Sequence, residues 1–225
     1  MIKNIIFDLG NVLFDIDFNK LKPAFEKLGL QDFDKQYSLL HASEIFLQLE
    51  KGEITPEEFY DLLRKESGLI SNNEAMEQAW NSMLLQFRWE SIAFLQQYKT
   101  RYRMFLLSNT NYIHQQCINK MLKERTGITE LRQLFEAAYF SHEVGMRKPD
   151  LAIYQHVIDD AQLNPVETIF IDDVEANIKP AETAGLKVHL LLQDERIEQL
   201  SYFSTLDRKS TRLNSSHANI SYAVF

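Results

Sequence analysis

The chain alternates short apolar runs with segments of helical periodicity. Apolar runs over residues 2–7, 103–108, 137–141, 168–173 and 186–192 have the length and composition of buried strands. After residue 90, segments of about ten residues with helical spacing separate these runs. Strands that alternate with helices predict an α/β fold with a parallel sheet covered on both faces.

A block of helical periodicity interrupts this alternation between the first strand and the rest. From Phe18 to about Gln86 the pattern predicts helices and no strand, with Phe18, Leu21, Phe25 and Leu28 on one face of the first of them. We therefore predict a Rossmann-like parallel-sheet core formed by residues 1–16 plus 91–206. The inserted helical domain, residues 17–90, is called the cap below.

The last segment, residues 207–225, differs in character from the rest. It is rich in Ser and Asn, its apolar residues follow no sustained period, and it lies beyond the last element that the predicted fold needs. Its sequence, DRKSTRLNSSHANISYAVF, also resembles the translation of a sequencing-library adapter. We expect this tail to be non-native and exclude it from the fold.

Composition limits the possible partners. The formal net charge is -8 and the sequence pI about 5.3, which gives no electrostatic basis for binding nucleic acid or an anionic membrane. The single cysteine, Cys117, excludes an internal disulfide and fits a reducing compartment. No apolar run reaches the length of a membrane span, and the chain begins directly with a strand, so we expect a cytoplasmic protein.

Polar side chains follow several of the apolar runs at the point where each predicted strand ends. They are Asp8, the run Ser108–Asn109–Thr110–Asn111, the pair Arg147–Lys148 in the loop after residues 137–141, and Asp172–Asp173. In open parallel sheets, ligands bind outside the carboxyl ends of the strands. The four clusters are therefore expected to form one site.

These residue types suit phosphoryl transfer. A carboxylate such as Asp8 can attack phosphorus and form an acyl phosphate. Asp8 and Asp173 together can hold a hard cation, and Mg²⁺ characteristically binds one or two carboxylates plus phosphate and water. Ser108 or Thr110, with Asn109, can donate hydrogen bonds to phosphoryl oxygens, and Lys148 adds a compact positive charge.

The motifs DLGNVLFDID, LLSNTN, GMRKPD and FIDDVEANI, in this order, resemble the four motifs of the haloacid dehalogenase-like (HAD) hydrolases. The likeness extends over residues 1–206. It is closest to bacterial phosphatases that act on glucose-1-phosphate, whose first motif also reads DLGNV. The run FIDDVEANIKPAETAGL is also similar to the N-terminal phosphatase domain of soluble epoxide hydrolases.

The resemblance assigns a role to each matching position. It implies that Asp8 is the nucleophile and a metal ligand, that the Gly10 carbonyl is a second ligand, and that Asp173 completes the protein ligands. It further implies that Ser108 and Asn109 bind phosphate, that Lys148 neutralises it, and that Asp172 and Asn177 support the metal site from behind. The helical block corresponds to the cap that closes over such a site and selects the substrate.

The sequence departs from the family pattern at Gly10, where most phosphatases of the family carry a second Asp as general acid and base. An anomeric hydroxyl leaves more readily than an ordinary sugar hydroxyl, so a sugar-1-phosphate suits an enzyme that lacks this acid. Alternatively, Asp15 or Asp17 supplies the proton, although either residue could instead cap the first helix of the cap. Of the cap residues, His41, Glu44, Phe46, Glu50 and Trp80 could face the substrate or could simply pack the cap.

The leading interpretation is a magnesium-dependent phosphomonoesterase that acts on a small phosphorylated metabolite, with a sugar-1-phosphate favoured and an aspartyl-phosphate intermediate. Two alternatives remain open. One is a catalytically weak protein that binds a phosphometabolite or regulates another process, and the other is a 2-haloacid dehalogenase. The sequence leaves the oligomeric state undetermined.

Overall fold

The computed structural model describes residues 1–35, 37, 44–200 and 203 of the 225-residue chain. The expected tail, residues 207–225, and the candidate His41 lie outside the described residues. No helix within the described ranges combines the length and the hydropathy that a membrane span requires.

A five-stranded sheet of parallel strands forms the centre of the fold, as the alternating pattern predicts. In chain order the strands are β1 (Asn4–Phe7), β2 (Phe14–Ile16), β3 (Leu84–Phe87), β4 (Arg103–Ser108), β5 (Ala137–Phe140), β6 (Thr168–Asp172) and β7 (Lys187–Leu190). The central sheet has the spatial order β5-β4-β1-β6-β7. Strand β1 is its middle member, and Ile6 pairs in register with Phe105 of β4 on one side and Phe170 of β6 on the other.

Helices cover both faces of this sheet. The helices of the structure are α1 (Leu21–Lys27), α2 (Ile45–Glu50), α3 (Pro56–Ser67), α4 (Asn73–Asn81), α5 (Trp89–Tyr98), α6 (Tyr112–Thr126), α7 (Ser141–Val144), α8 (Leu151–Asp160) and α9 (Glu175–Thr183), with 3₁₀ turns at Phe18–Lys20, Leu131–Leu134, Pro165–Glu167 and Ile197–Gln199. Alternate side chains of each strand enter two separate apolar clusters. Ile5 and Phe7 pack with α5 and α6 on one face, whereas Ile6 packs with α8 and α9 on the other.

A two-stranded ribbon carries the chain out of the sheet and back into it. Strand β2 pairs antiparallel with β3, and Phe14 lies opposite Phe87. The prediction of a strand-free helical block up to Gln86 is therefore wrong over its last residues. Helix α4 ends at Asn81, and the following residues pair with β2, which lies about seventy residues earlier in the chain and is invisible to a local periodicity.

The helices between the two ribbon strands have an apolar cluster of their own, which includes Phe25, Phe59 and Trp80. Helix α3 begins with the capping box that its sequence predicts, in which Thr55 and Glu58 bind each other's backbone N–H groups. The predicted place of Phe18 on the apolar face of the first helix is wrong, because this residue lies in a 3₁₀ turn before α1 and is 60% exposed. The boundaries of cap and core stay a prediction.

Gly52 brings the cap into close contact with the core. It follows α2 with a φ of +67°, and a Cβ atom added at this position would overlap the backbone carbonyl oxygen of His142 in α7. A side chain at position 52 is therefore disfavoured twice, by the left-handed backbone and by the carbonyl of the core. Only glycine allows α2 to approach α7 this closely.

We expect Gly52→Ala to lower the free energy of unfolding by about 2–4 kcal/mol. About 1–2 kcal/mol would come from the left-handed backbone, and the remainder from overpacking against His142. Unfolding in urea, followed by circular dichroism, measures the loss.

Gly68 provides the matched control, because it follows α3 with a φ of +73° and has no atom within 4 Å of an added Cβ. Gly68→Ala should therefore cost only the backbone contribution of about 1–2 kcal/mol. Equal losses in the two variants would contradict a close contact at Gly52.

Candidate active site at the carboxyl ends of the strands

Buried charged side chains meet at the carboxyl ends of β1 and β6. Asp8 directly follows β1, and Asp172 and Asp173 lie at the end of β6, which is the neighbour of β1 in the sheet. Asp8 N–H donates to the Ile171 carbonyl at 2.9 Å, so the two strand ends are held side by side. They open into a cavity of about 430 Å³, which lies between the sheet edge and the cap.

Lys148 lies at the centre of this cluster. Its Nζ atom donates to Asp8 Oδ1 at 2.6 Å and to Asp172 Oδ2 at 2.7 Å, and its side chain is 2% exposed. The backbone of Lys148 is fixed by Asn109, whose amide accepts from Lys148 N–H and donates to the Lys148 carbonyl, both at 2.8 Å. The loop after α7 is thereby tied to the end of β4, and the lysine is directed between the two carboxylates.

The cluster holds more negative than positive charge. One oxygen from each of Asp8, Asp172 and Asp173 lies within 4.8 Å of the others, and Lys148 is the cation that contacts two of them. The pKa of Asp8 is raised to about 7, mainly by burial; Lys148 opposes this rise, and the neighbouring Asp172 and Asp173 contribute to it. Burial also lowers the pKa of Lys148, but Asp8 and Asp172 outweigh it and hold that pKa above its usual value.

A divalent cation would balance this excess of negative charge. Burial raises the pKa of Asp173 as well, and a hydrogen bond with Asn11 opposes the shift. The available donors are carboxylate oxygens, which Mg²⁺ prefers over nitrogen or sulfur. The residues present therefore fit a magnesium ion.

Both carboxylate oxygens of Asp172 accept hydrogen bonds from neighbouring residues. Besides Lys148, it accepts hydrogen bonds from Asn177 Nδ2 at 3.0 Å and from Val174 N–H at 2.8 Å. The Asn177 carbonyl accepts in turn from the buried Tyr154 hydroxyl at 2.9 Å. Asp172 thus has a fixed orientation, while the half-buried Asp173 lines the cavity.

The polar run after β4 also lines the cavity, but its side chains make different hydrogen bonds. Ser108 is buried at the strand end, and Thr110 is held by Ser141, whose hydroxyl accepts from Thr110 N–H and donates to its carbonyl, both at 2.9 Å. The Asn109 amide holds Lys148 as described above, and the Asn111 side chain caps α6. Of the predicted phosphate-binding side chains, Asn109 therefore has a structural task that its sequence position alone does not reveal.

Neither candidate for a replacement acid reaches the cavity. Asp15 lies on β2 and pairs with Arg88, whose Nε donates to Asp15 Oδ1 at 2.7 Å, and Asp17 caps the 3₁₀ turn at Phe18–Lys20. Neither residue lines the cavity, whereas Gly10 does. This placement argues against the expected role of Asp15 and favours the capping role of Asp17.

The cap side of the cavity contains contacts that sequence reasoning left unassigned. Trp80 of α4 stacks between Phe46 of α2 and His114 of α6, with ring centroids 5.0 and 5.1 Å apart. His114 Nδ1 lies 2.8 Å from Asn81 Oδ1, and burial lowers the pKa of His114 to about 3, so the ring is neutral. The buried Trp80 Nε1–H has no partner among the described residues, which carries a cost of about 1–3 kcal/mol.

One further polar contact crosses the cavity. Arg147 Nε of the core donates to Glu50 Oε2 of the cap at 3.0 Å. The sequence places Arg147 beside Lys148, but it contains no signal that pairs this arginine with a glutamate 97 residues away. Such long-range pairings become visible only in the folded chain.

A larger cavity, of about 480 Å³, lies at the opposite, amino end of the strands. Its lining includes Lys3 and Arg103, which pair with Glu167 and Glu136 at 2.7 and 2.6 Å. These cations are neutralised at the surface, and no carboxylate cluster lies there among the described residues. The smaller cavity at the carboxyl ends of the strands is therefore the candidate active site.

Comparison with known proteins agrees with this geometry. A family model described as haloacid dehalogenase-like hydrolase matches residues 2–185. The chain is 33% identical over 189 residues to D-ribitol-5-phosphate phosphatase from Bacteroides thetaiotaomicron, covering 83% of this chain and 90% of the relative. It is 28% identical over 185 residues to a sesquiterpene phosphatase from Aspergillus oryzae, covering 82% of this chain and 87% of that relative.

A solved structure shares the whole fold. A HAD family enzyme from Bacteroides thetaiotaomicron, in complex with magnesium and inorganic phosphate, superposes with a TM-score of 0.82 at 36% sequence identity. The match covers 89% of this chain and 100% of that one. The likeness therefore includes both the sheet and the inserted helices.

We expect Lys148→Met to lower the free energy of unfolding by about 3–5 kcal/mol without added metal, because it leaves buried carboxylates without their cation. Added Mg²⁺ should restore part of this stability by supplying positive charge at the same place. Urea unfolding with and without Mg²⁺ measures both effects.

Lys179→Met is the control, because Lys179 pairs with Glu182 on the surface and is 83% exposed. This variant should unfold like the parent protein, with or without Mg²⁺. A Lys148→Met protein as stable as the parent would show that the buried charges are not balanced by Lys148.

Proposed function

The chain belongs to the haloacid dehalogenase-like hydrolases, and we propose that it is a magnesium-dependent phosphomonoesterase acting on a small phosphorylated sugar or polyol. One observation carries the proposal: Asp8, Asp172 and Asp173 lie close together, Lys148 bridges Asp8 and Asp172, and Asp8 and Asp173 line a cavity. The similarity to a phosphatase of D-ribitol-5-phosphate supports the reaction and the substrate class.

The reaction begins with attack by Asp8. Its carboxylate oxygen forms a bond to phosphorus while the bond from phosphorus to the alcohol oxygen breaks, and the departing alkoxide takes a proton from water. Water then attacks the phosphorus of the aspartyl phosphate, which releases inorganic phosphate and regenerates the Asp8 carboxylate. Lys148 orients Asp8 through Oδ1 and offsets the charge of the phosphoryl oxygens.

The remaining site residues bind the metal ion and the phosphate, or hold other side chains in position. Asp8, Asp173 and the Gly10 carbonyl would bind Mg²⁺, which supplies the charge that lets a carboxylate approach a phosphate. The Ser108 hydroxyl donates to a phosphoryl oxygen, whereas the Thr110 N–H is already used by Ser141. Asp172 and Asn177 keep Lys148 and the ligand carboxylates in position.

Within this substrate class, two observations point to different alcohols. Gly10 provides no acid for the leaving oxygen, which favours a sugar-1-phosphate with its more acidic anomeric hydroxyl. The relative named for D-ribitol-5-phosphate favours a phosphate on a primary alcohol. Phosphate release from a panel of 1-, 5- and 6-phosphates distinguishes these possibilities.

Two other functions are separable by simple assays. A protein that only binds a phosphometabolite, or regulates through it, would release no phosphate from any member of the panel in the presence of Mg²⁺. A 2-haloacid dehalogenase would instead release halide. We favour hydrolysis, because a binding protein has no need of a carboxylate directed at the phosphate beside a metal site.

Asp8→Asn should reduce phosphate release at least 10³-fold while leaving the fold intact, because the neutral amide neither attacks phosphorus nor binds Mg²⁺ well. Asp173→Asn should instead raise the Mg²⁺ concentration required for half-maximal activity. Steady-state phosphate release over a range of Mg²⁺ concentrations measures both effects. Residual activity above one tenth of the parent in Asp8→Asn would move the nucleophile elsewhere.

The rate should also depend strongly on the acidity of the leaving alcohol, because no acid lies beside it. Gly10→Asp is expected to reduce this dependence and to favour 6-phosphates. A Cβ atom at position 10 would lie 2.8 Å from Ile16 Cδ1, so we would combine Gly10→Asp with Ile16→Val, which removes that methyl group. The measurement is a plot of log kcat/KM against the pKa of the leaving alcohol.

Ile16→Val alone is the control for the shape of the cavity. It should leave the slope of that plot unchanged, while the double variant flattens it. A flat plot for the native protein would mean that an unidentified acid already protonates the leaving group.

A further inference from the structure

An ion pair in the cavity wall has no task in the mechanism described above. Glu50, the last residue of α2, accepts from Arg147 Nε at 3.0 Å, and both side chains line the cavity. Each is 31% exposed, so the pair faces the interior of the cavity without being fully covered by protein. Because Arg147 directly precedes Lys148 and Glu50 ends α2, the pair connects the loop that carries Lys148 to the cap.

Apart from Glu50, the cap side of this wall is uncharged and mostly apolar, with the Tyr37 hydroxyl and the Trp80 N–H as its further polar groups. Its side chains include Phe18, Phe46, Met83 and Leu84. Apart from the cluster around Lys148, Glu50 and Arg147 are the charged residues in the lining that the described part of the chain provides. A single ion pair in such a wall fixes where a bound molecule must offer polar groups.

Arg147 has hydrogen-bond donors that its contact with Glu50 does not use. A guanidinium has five N–H donors, and Arg147 engages one of the described residues through Nε, which leaves its Nη donors for a ligand. A carboxylate accepts several hydrogen bonds, so Glu50 can accept one more from a ligand hydroxyl. A hydroxyl group both donates and accepts, and it can therefore bind both partners at once.

An apolar leaving group would bind poorly beside this ion pair. It would displace water from Glu50 and Arg147 without replacing the lost hydrogen bonds, and sites built to bind hydroxyl groups reject such molecules strongly. The two relatives described above differ in this respect, since one is named for a polyol phosphate and the other for a terpenoid. The ion pair favours a polyol phosphate over a terpenoid phosphate.

We infer that Glu50 and Arg147 determine substrate specificity by binding hydroxyl groups of the leaving alcohol. They select phosphorylated sugars or polyols over isoprenoid phosphates. This inference rests on the proposed phosphomonoesterase function and adds to it the residues that choose the substrate.

The test compares two substrates in two double variants. Glu50→Leu with Arg147→Met replaces the pair by apolar side chains of similar size, a change that buried ion pairs often tolerate. Arg132→Met with Glu143→Leu is the control, because this pair has a contact of 2.6 Å, comparable exposure and no part in the cavity. For each protein, kcat/KM is measured with ribitol 5-phosphate and with farnesyl monophosphate.

We expect the parent and the control to prefer ribitol 5-phosphate. In the Glu50→Leu, Arg147→Met protein the ratio of the two kcat/KM values should fall about 10- to 100-fold, the range expected when hydrogen bonds to charged groups are lost. If that variant does not fold, Glu50→Gln and Arg147→Lys replace it, and each should lower the ratio in the same direction.

The outcomes separate this inference from the proposed function. A parent protein that releases phosphate from neither substrate, nor from the wider panel, overturns the proposed function. A parent that hydrolyses these substrates but prefers farnesyl monophosphate overturns only the specificity assignment. A ratio that stays the same when the ion pair is removed also overturns only that assignment.

Discussion

The bridge from Lys148 to Asp8 and Asp172 is the interaction on which the rest of the site depends. Two carboxylates on adjacent strand ends repel each other, and burying both without a cation would cost several kcal/mol. The sheet order makes their meeting unavoidable, because β1 and β6 are neighbours and Phe7 pairs with Ile171 immediately before Asp8 and Asp172. Lys148 must therefore reach into the sheet edge from another loop, and Asn109 holds that loop at the required position.

Even with this lysine, the site retains an excess of negative charge, and this excess explains how an acidic chain can bind an anionic substrate. Asp8, Asp172 and Asp173 outnumber Lys148. Burial, to which the neighbouring carboxylates add, raises the pKa values of Asp8 and Asp173. A divalent cation corrects it and at the same time attracts phosphate. The overall charge of -8 is then no obstacle, since the positive charge is needed only locally.

The sequence predicted those parts of the molecule that depend on local patterns and on the geometry of parallel sheets. Apolar runs that end in polar residues were sufficient to bring Asp8, Ser108 and Asp172 to one edge, because the ends of parallel strands coincide there. The β2–β3 ribbon escaped prediction, since each strand is three or four residues long and its partner is distant in the chain. The same limit applies to the pairing of Asp15 with Arg88 and of Glu50 with Arg147, which depend on where the cap returns to the core.

Gly10 links the chemistry of the site to the polarity of its wall. Position 10 is a glycine and Asp15 is paired to Arg88 outside the cavity, so neither position considered for the acid supplies one, and under the proposed mechanism the leaving oxygen takes its proton from water. Water must then stay in the cavity while the cap contacts the core at Gly52 and at His114. A wholly apolar wall would exclude it, whereas Glu50 and Arg147 hydrogen-bond water as readily as they bind a substrate hydroxyl. The absence of an acid at position 10 and the presence of an ion pair in the wall therefore favour the same substrates, those whose alcohols are themselves hydrated.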